Sequence, residues 1–142
     1  MDNKLTYINL IKSLPIFKEL DPADLQLLLD QEDVLRLMSF KPKEKIIAEK
    51  RFDRKIYLLL KGSVDVCKEV LSGNCKVEKT IKTIESDGTG KFVGEMTAFT
   101  GKPRTASVIA AENTIALMIN IAALTASSSN LLDRLKRVFY PK

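Results

Sequence analysis

The chain has 142 residues, 45% of them hydrophobic, and carries 23 Lys and Arg against 18 Asp and Glu. That length buries one hydrophobic core and leaves little room for a second domain, and the apolar content argues against disorder. Histidine is absent, which excludes Ser-His-Asp triads and histidine-ligated metal sites and weighs against a cupin-like oxygenase on a β-barrel. The net charge of +5 is spread over lysines interleaved with glutamates. With no dominating basic block, it reads as a solvated surface rather than a nucleic-acid footprint.

No apolar run reaches the roughly 18 residues that span a bilayer. The longest, Ile115–Leu124, is interrupted by Asn120. The first residues, MDNKLTYINLIKSL, are charged and amphipathic and lack the pattern of a secretion signal. Cys67 and Cys75 flank a turn expected at Leu71–Asn74, which sets Cys67 opposite Glu78 and predicts two free thiols. The expected compartment is cytoplasmic, with no membrane contact.

In chain order, residues 1–33 read as helical. Leu5, Ile8, Leu10 and Ile11 keep rough helical spacing until Pro15 breaks it. Asp21 and Pro22 form an N-cap and first helical position, and Leu25, Leu28 and Leu29 then share one face. From Val34 the period changes. Strands are predicted over Val34–Phe40, Ile46–Ala48, Ile56–Leu60, Ser63–Val70, Lys76–Ile84, Thr105–Ala111 and Ile115–Ile121, with a turn at Ser72-Gly73-Asn74. Residues 122–142 return to helix, with Ser129 as a cap and Leu131, Leu132, Leu135 and Val138 on one face. Arg134, Lys136 and Arg137 lie near its negative end. The expected fold is α+β: one domain over residues 1–142, an antiparallel β jelly-roll barrel at 34–121 flanked by N-terminal and C-terminal helices.

The stretch that carries chemistry is GKFVGEMTAFTGKPRTASVIA, from Gly90 to Ala110. Gly94 lets backbone approach a ligand closely. Backbone N–H groups near Met96 and Thr97, in a short helix-like segment at Met96–Phe99, are placed to face an anion. Arg104 offers a planar fork suited to two phosphate oxygens, and Glu95 an acceptor suited to a sugar hydroxyl. Together they suit a phosphate joined to a sugar, although each feature alone is common enough to be a surface turn with a solvated arginine.

Gly94-Glu95-Met96-Thr97-Ala98 followed by Pro103-Arg104-Thr105-Ala106-Ser107-Val108 resembles the phosphate-binding cassette of cyclic-nucleotide-binding domains. These occur in the regulatory subunit of cAMP-dependent protein kinase, in cyclic-nucleotide-gated channels and in catabolite-activator-type regulators. The likeness runs through nearly the whole chain: Ser13–Gln31 is similar to the family's leading helix, and Ile56–Leu59 with Gly62 to its central strand and turn. It implies a cassette at 90–108 in which Glu95 accepts from the ribose 2′-hydroxyl and Arg104 pairs with the exocyclic phosphate oxygens. Phe92, Val93, Gly94, Met96, Thr97 and Ala106 would line the ring. Thr105 stands where cGMP-preferring members often carry threonine, which leaves cAMP and cGMP both open. It also implies a C-terminal lid helix with Phe139 and Tyr140 as candidates to cover the base; ordinary core packing is the alternative for both.

The resemblance therefore implies a sensor that binds cAMP or cGMP, performs no catalysis, uses no cofactor or metal, and signals through its C-terminal helix to a homodimer partner or an effector protein. DNA binding by this chain alone is not expected. The match has departures. Lys50 and Arg51 stand where a glycine and an acidic residue are frequent, Asp53 where a small residue is usual, and Lys43 where a turn glycine is frequent. Lysine adopts positive φ less readily than glycine, so altered turns are expected there. The alternative function is a degenerate fold that serves as an interaction or dimerisation scaffold without ligand.

Overall fold

The computed structural model describes residues 4–18, 20–51, 53–87, 90–95, 102–125 and 131–139. Three short helices lead: α1 (Lys4–Ser13), α2 (Pro15–Lys18) and α3 (Pro22–Leu29). Pro15 both ends the first pattern and starts the second helix, where a missing N–H costs nothing. Asp21 caps α3 as expected, its carboxylate accepting from Ala23 N at 2.9 Å. Leu25, Leu28 and Leu29 are buried together.

Eight strands follow: β1 (Leu35–Phe40), β2 (Lys45–Ile47), β3 (Lys55–Lys61), β4 (Ser63–Ser72), β5 (Cys75–Glu85), β6 (Lys91–Val93), β7 (Ser107–Ala110) and β8 (Thr114–Asn120). They form two antiparallel four-stranded sheets, ordered β1-β8-β3-β6 and β2-β7-β4-β5, the layout of a jelly roll. The chain closes with α4 (Ile121–Thr125) and α5 (Leu131–Phe139). Asn120, which broke the apolar run in the sequence, caps α4 by accepting from Ala123 N at 3.2 Å. Among the described residues no helix is long and apolar enough to cross a membrane.

The first sheet is covered on both faces. Ile56, Leu58 and Leu60 of β3, with Ile115, Leu117 and Ile119 of β8, pack against the helices. Their alternate neighbours Tyr57, Leu59, Ala116 and Met118, with Val93 of β6, pack against Val64 and Val108 of the second sheet. This explains why β3 and β8 read as unbroken apolar runs: a strand buried on both faces has no polar alternation. Leu131 and Leu135 of α5 are fully buried in the helix-side cluster.

Three sequence expectations are corrected. The β4–β5 turn is centred on Gly73-Asn74, so Ser72 pairs with Cys75 and Cys67 faces Thr80, not Glu78. Strand β6 was not anticipated; its three residues are too few to show a period. The strand expected from Thr105 begins only at Ser107, and the backbone of the preceding Arg104 bonds to the β2–β3 turn instead. Ser129 and Tyr140 lie outside the described residues, as do the side chains of Leu132, Arg134, Val138 and Phe139.

The turns at Lys43 and Lys50 do not differ as expected from glycine turns: both lysines take positive φ, at 74° and 72°. Neighbouring backbone bonds enforce this, Lys43 N donating to Ala110 O at 2.7 Å and Lys50 N to Arg104 O at 2.8 Å. A left-handed non-glycine residue costs roughly 1–2 kcal/mol, and glycine forfeits about 0.5–1 kcal/mol of that in chain entropy. Lys43→Gly is therefore expected to stabilise the domain by about 0.5–1 kcal/mol, read as a higher urea midpoint at unchanged slope; a lower midpoint would contradict the strain.

Candidate functional site

A cleft of about 260 Å³ opens beside the second sheet. Its apolar wall comes from Ile47, Val66, Ile84 and Val108. The rest of its lining comes from the segments on either side of the undescribed residues 96–101: Phe92, Val93, Gly94 and Glu95 on one, Arg104, Thr105 and Ala106 on the other, with Glu95, Arg104 and Thr105 supplying the polar side chains. All seven were candidate site residues from the sequence; Met96 and Thr97 fall outside the described residues. The β4–β5 contribution, Val66, Ile84 and the exposed Lys82, was missed. A long hairpin gives no local sign of which residues curl over a cavity.

Arg104 is the centre of this lining and is only 4% exposed. Its backbone is clamped to the β2–β3 turn, Arg104 N donating to Arg51 O at 2.8 Å and Arg104 O accepting from Lys50 N at 2.8 Å. The adjoining Ser107 accepts from Glu49 N at 2.9 Å. The guanidinium is held on three sides. Nη1 donates to Gly94 O at 2.6 Å, and Nη2 donates to Lys55 O at 2.6 Å and to the Asp53 carboxylate. Asp53 also accepts from Lys55 N at 3.0 Å, which fixes its side chain across the loop. Nε is buried without a hydrogen-bond partner among the described residues. A buried N–H left unpaired costs about 1–3 kcal/mol, so this atom lacks an acceptor.

Glu95 is half-buried in the cleft lining and makes no hydrogen bond or ion pair with a described residue. Nearby, Tyr57 ionises above the ordinary tyrosine range: burial raises it most, the Asp53 charge adds to this, and Arg104 opposes it. Among the described residues no group of three or more His, Cys, Asp or Glu could hold a metal ion.

Gly94 has φ of 86°, and a Cβ there would fall 2.6 Å from Arg104 Nη1 and 2.8 Å from Ile47 Cδ1. Its close approach is thus to the arginine itself. Such a contact holds the guanidinium against the backbone.

This fold and this site define a small β-barrel binding domain with a buried cationic wall. The cyclic nucleotide-binding domain model matches residues 37–127, more than half the chain, and the chain belongs to that family. Among solved structures it is similar to a regulatory subunit of a cAMP-independent protein kinase A from Trypanosoma brucei (TM-score 0.71, 23% identity, covering 96% of this chain and 46% of that one). It is also similar to the regulatory domain of Toxoplasma gondii protein kinase A, crystallised with cAMP (0.69, 20%, 99% and 51%). A third is a cyclic nucleotide-binding domain from Methylobacillus flagellatus (0.68, 20%, 98% and 75%). The chain thus spans about half the length of the two kinase subunits. No curated protein sequence matches it.

Gly94→Ala is expected to lose about 1–3 kcal/mol of stability, by strain and by collision with the guanidinium. Gly73 has φ of 63° with nothing within 4 Å, so Gly73→Ala carries the strain alone. Thermal unfolding should rank Gly94→Ala clearly below Gly73→Ala; equal losses would remove the collision from the account.

Proposed function

We propose that this domain is a cyclic-nucleotide sensor: the cleft takes cAMP or cGMP and ligand occupancy is reported by α5. One observation carries the reading, the buried Arg104 in the cleft lining with Nε unpaired among the described residues and Glu95 in the same lining without a described partner. A cation held out of water is stable only with a complete set of acceptors. A cyclic phosphate supplies acceptors on the arginine side, and its ribose supplies a hydroxyl donor for Glu95. The cAMP-bound state of the Toxoplasma neighbour supports the same ligand class. The domain binds and reports without chemistry on its ligand, in keeping with a regulatory family.

For the reporting step, α5 is the candidate moving part. Leu131 and Leu135 anchor it among the helices, and none of its described residues lines the cleft. A ligand would shift the helix only by binding its two positions with different affinity.

Calorimetric titration with cAMP and cGMP tests the binding. Charge-assisted hydrogen bonds contribute about 1.5–3 kcal/mol each, so Arg104→Ala should weaken binding roughly 10- to 150-fold and Glu95→Ala by about tenfold. Absence of heat and of any thermal shift with either nucleotide in the wild-type chain would favour the ligand-free scaffold. Hydrogen exchange over 131–139 should change on binding; unchanged protection would rule out α5 as the reporter.

A further inference from the structure

The far end of the β4–β5 hairpin takes no part in the cleft. β7 pairs with β4 only from Val64 to Cys67, so from Lys68 to Thr80 the sheet narrows to a ribbon of two strands. Every residue of that ribbon is exposed. Such a ribbon is marginal in water by itself, and this one is braced near its base. Glu69 N donates to Glu49 Oε1 at 3.0 Å, and Lys45 Nζ reaches Glu78 Oε1 at 3.1 Å. Among the described residues, every exposed large hydrophobic side chain except Leu27 lies on this hairpin: Val70, Leu71, Val77 and Ile81.

The register sorts the ribbon into two faces, since cross-strand partners share a face and neighbours along a strand alternate. One face carries Leu71 opposite Lys76 and Glu69 opposite Glu78; the other carries Val70 opposite Val77 and Lys68 opposite Lys79. The acids of the first face are paired, Glu69 with Lys50 and Lys76, and Glu78 with Lys45. Lys68 and Lys79 make no ion pair with a described residue. They are like charges set against each other, a repulsion that an anionic neighbour relieves. Leu71, 72% exposed, lies on the face opposite Val70 and Val77. A protein docked on one face would leave the apolar side chains of the other in water. A strand added along β5 is opposed by the bulge at Ile81 and by Lys76, Lys79 and Lys82. A bilayer interface surrounds the tip, takes up both apolar faces and offers anions to the lysines behind them. We infer that the hairpin is a peripheral membrane arm: Val70, Leu71 and Val77 enter the headgroup layer of an anionic bilayer, and Lys68 and Lys79 pair with its lipid phosphates. This departs from the expectation of no membrane contact, requires no spanning helix, and stands independently of the cleft's ligand.

Co-sedimentation of the 142-residue chain with phospholipid vesicles tests this. The chain should bind vesicles of mixed phosphatidylserine and phosphatidylcholine, bind phosphatidylcholine alone far more weakly, and lose binding as salt rises. A lysine near an anionic surface is worth about fivefold in binding, so Lys68→Gln with Lys79→Gln should weaken it roughly 25-fold. Leu71→Gln should weaken it about tenfold. Lys12→Gln, at an exposed position of α1, should leave it unchanged. The chain has no tryptophan, so the emission of Leu71→Trp reports on the tip alone and should shift to the blue on mixed vesicles. Absence of binding to mixed vesicles, an equal loss for Lys12→Gln, or unshifted emission from vesicle-bound Leu71→Trp would each overturn the inference. Capture by immobilised poly-glutamate that ignores Leu71→Gln, without vesicle binding, would overturn it in favour of an acidic protein segment.

Discussion

The structure turns on one buried cation. Arg104 has almost no contact with water, so the fold must surround its guanidinium with acceptors. It does so with three acceptors from two places in the chain: the carbonyl of Gly94, and the Asp53 carboxylate with the Lys55 carbonyl that opens β3. The arginine thereby ties the segment after β6, the β2–β3 turn and the approach to β7 into one unit. The cleft exists because these three segments meet at that group.

The same requirement explains the local backbone. Glycine at position 94 is the only residue that both accepts φ of 86° and leaves the guanidinium room. Lys50 is forced into a left-handed conformation because its N–H must reach the Arg104 carbonyl. The two departures from the family pattern nearest the site, Lys50 and Asp53, are thus both bonded to Arg104, one through its backbone and one through its side chain.

Much of this was legible in the sequence. The Asp21 cap, the two apolar strands buried on both faces and the cassette from Gly90 to Val108 carry strong local signals: a capping residue, a missing alternation, a glycine and an arginine at fixed spacing. The pieces that escaped notice depend on contacts across the fold. Asp53 sits in a run of basic residues, Lys50, Arg51, Arg54 and Lys55, any of which is a nearer partner along the chain. Only the folded turn brings it to Arg104, 51 positions away. The Cys67 partner was missed by a smaller margin, since a turn centre displaced by one residue moves every pair along the hairpin.

The hairpin also bears on how the protein behaves in a crowded solution. β5 is the outermost strand of its sheet and runs 11 residues with its apolar Val77 and Ile81 exposed, a shape that invites a neighbouring chain to add a strand. The register slips where Val66 pairs with Lys82 and Cys67 with Thr80, leaving Ile81 unmatched. That kink, with Lys76, Lys79 and Lys82 strung along the same strand, denies an incoming chain a flat and neutral rim. An edge that would otherwise seed aggregation is thus roughened and charged, in part by Lys82, which also lines the cleft.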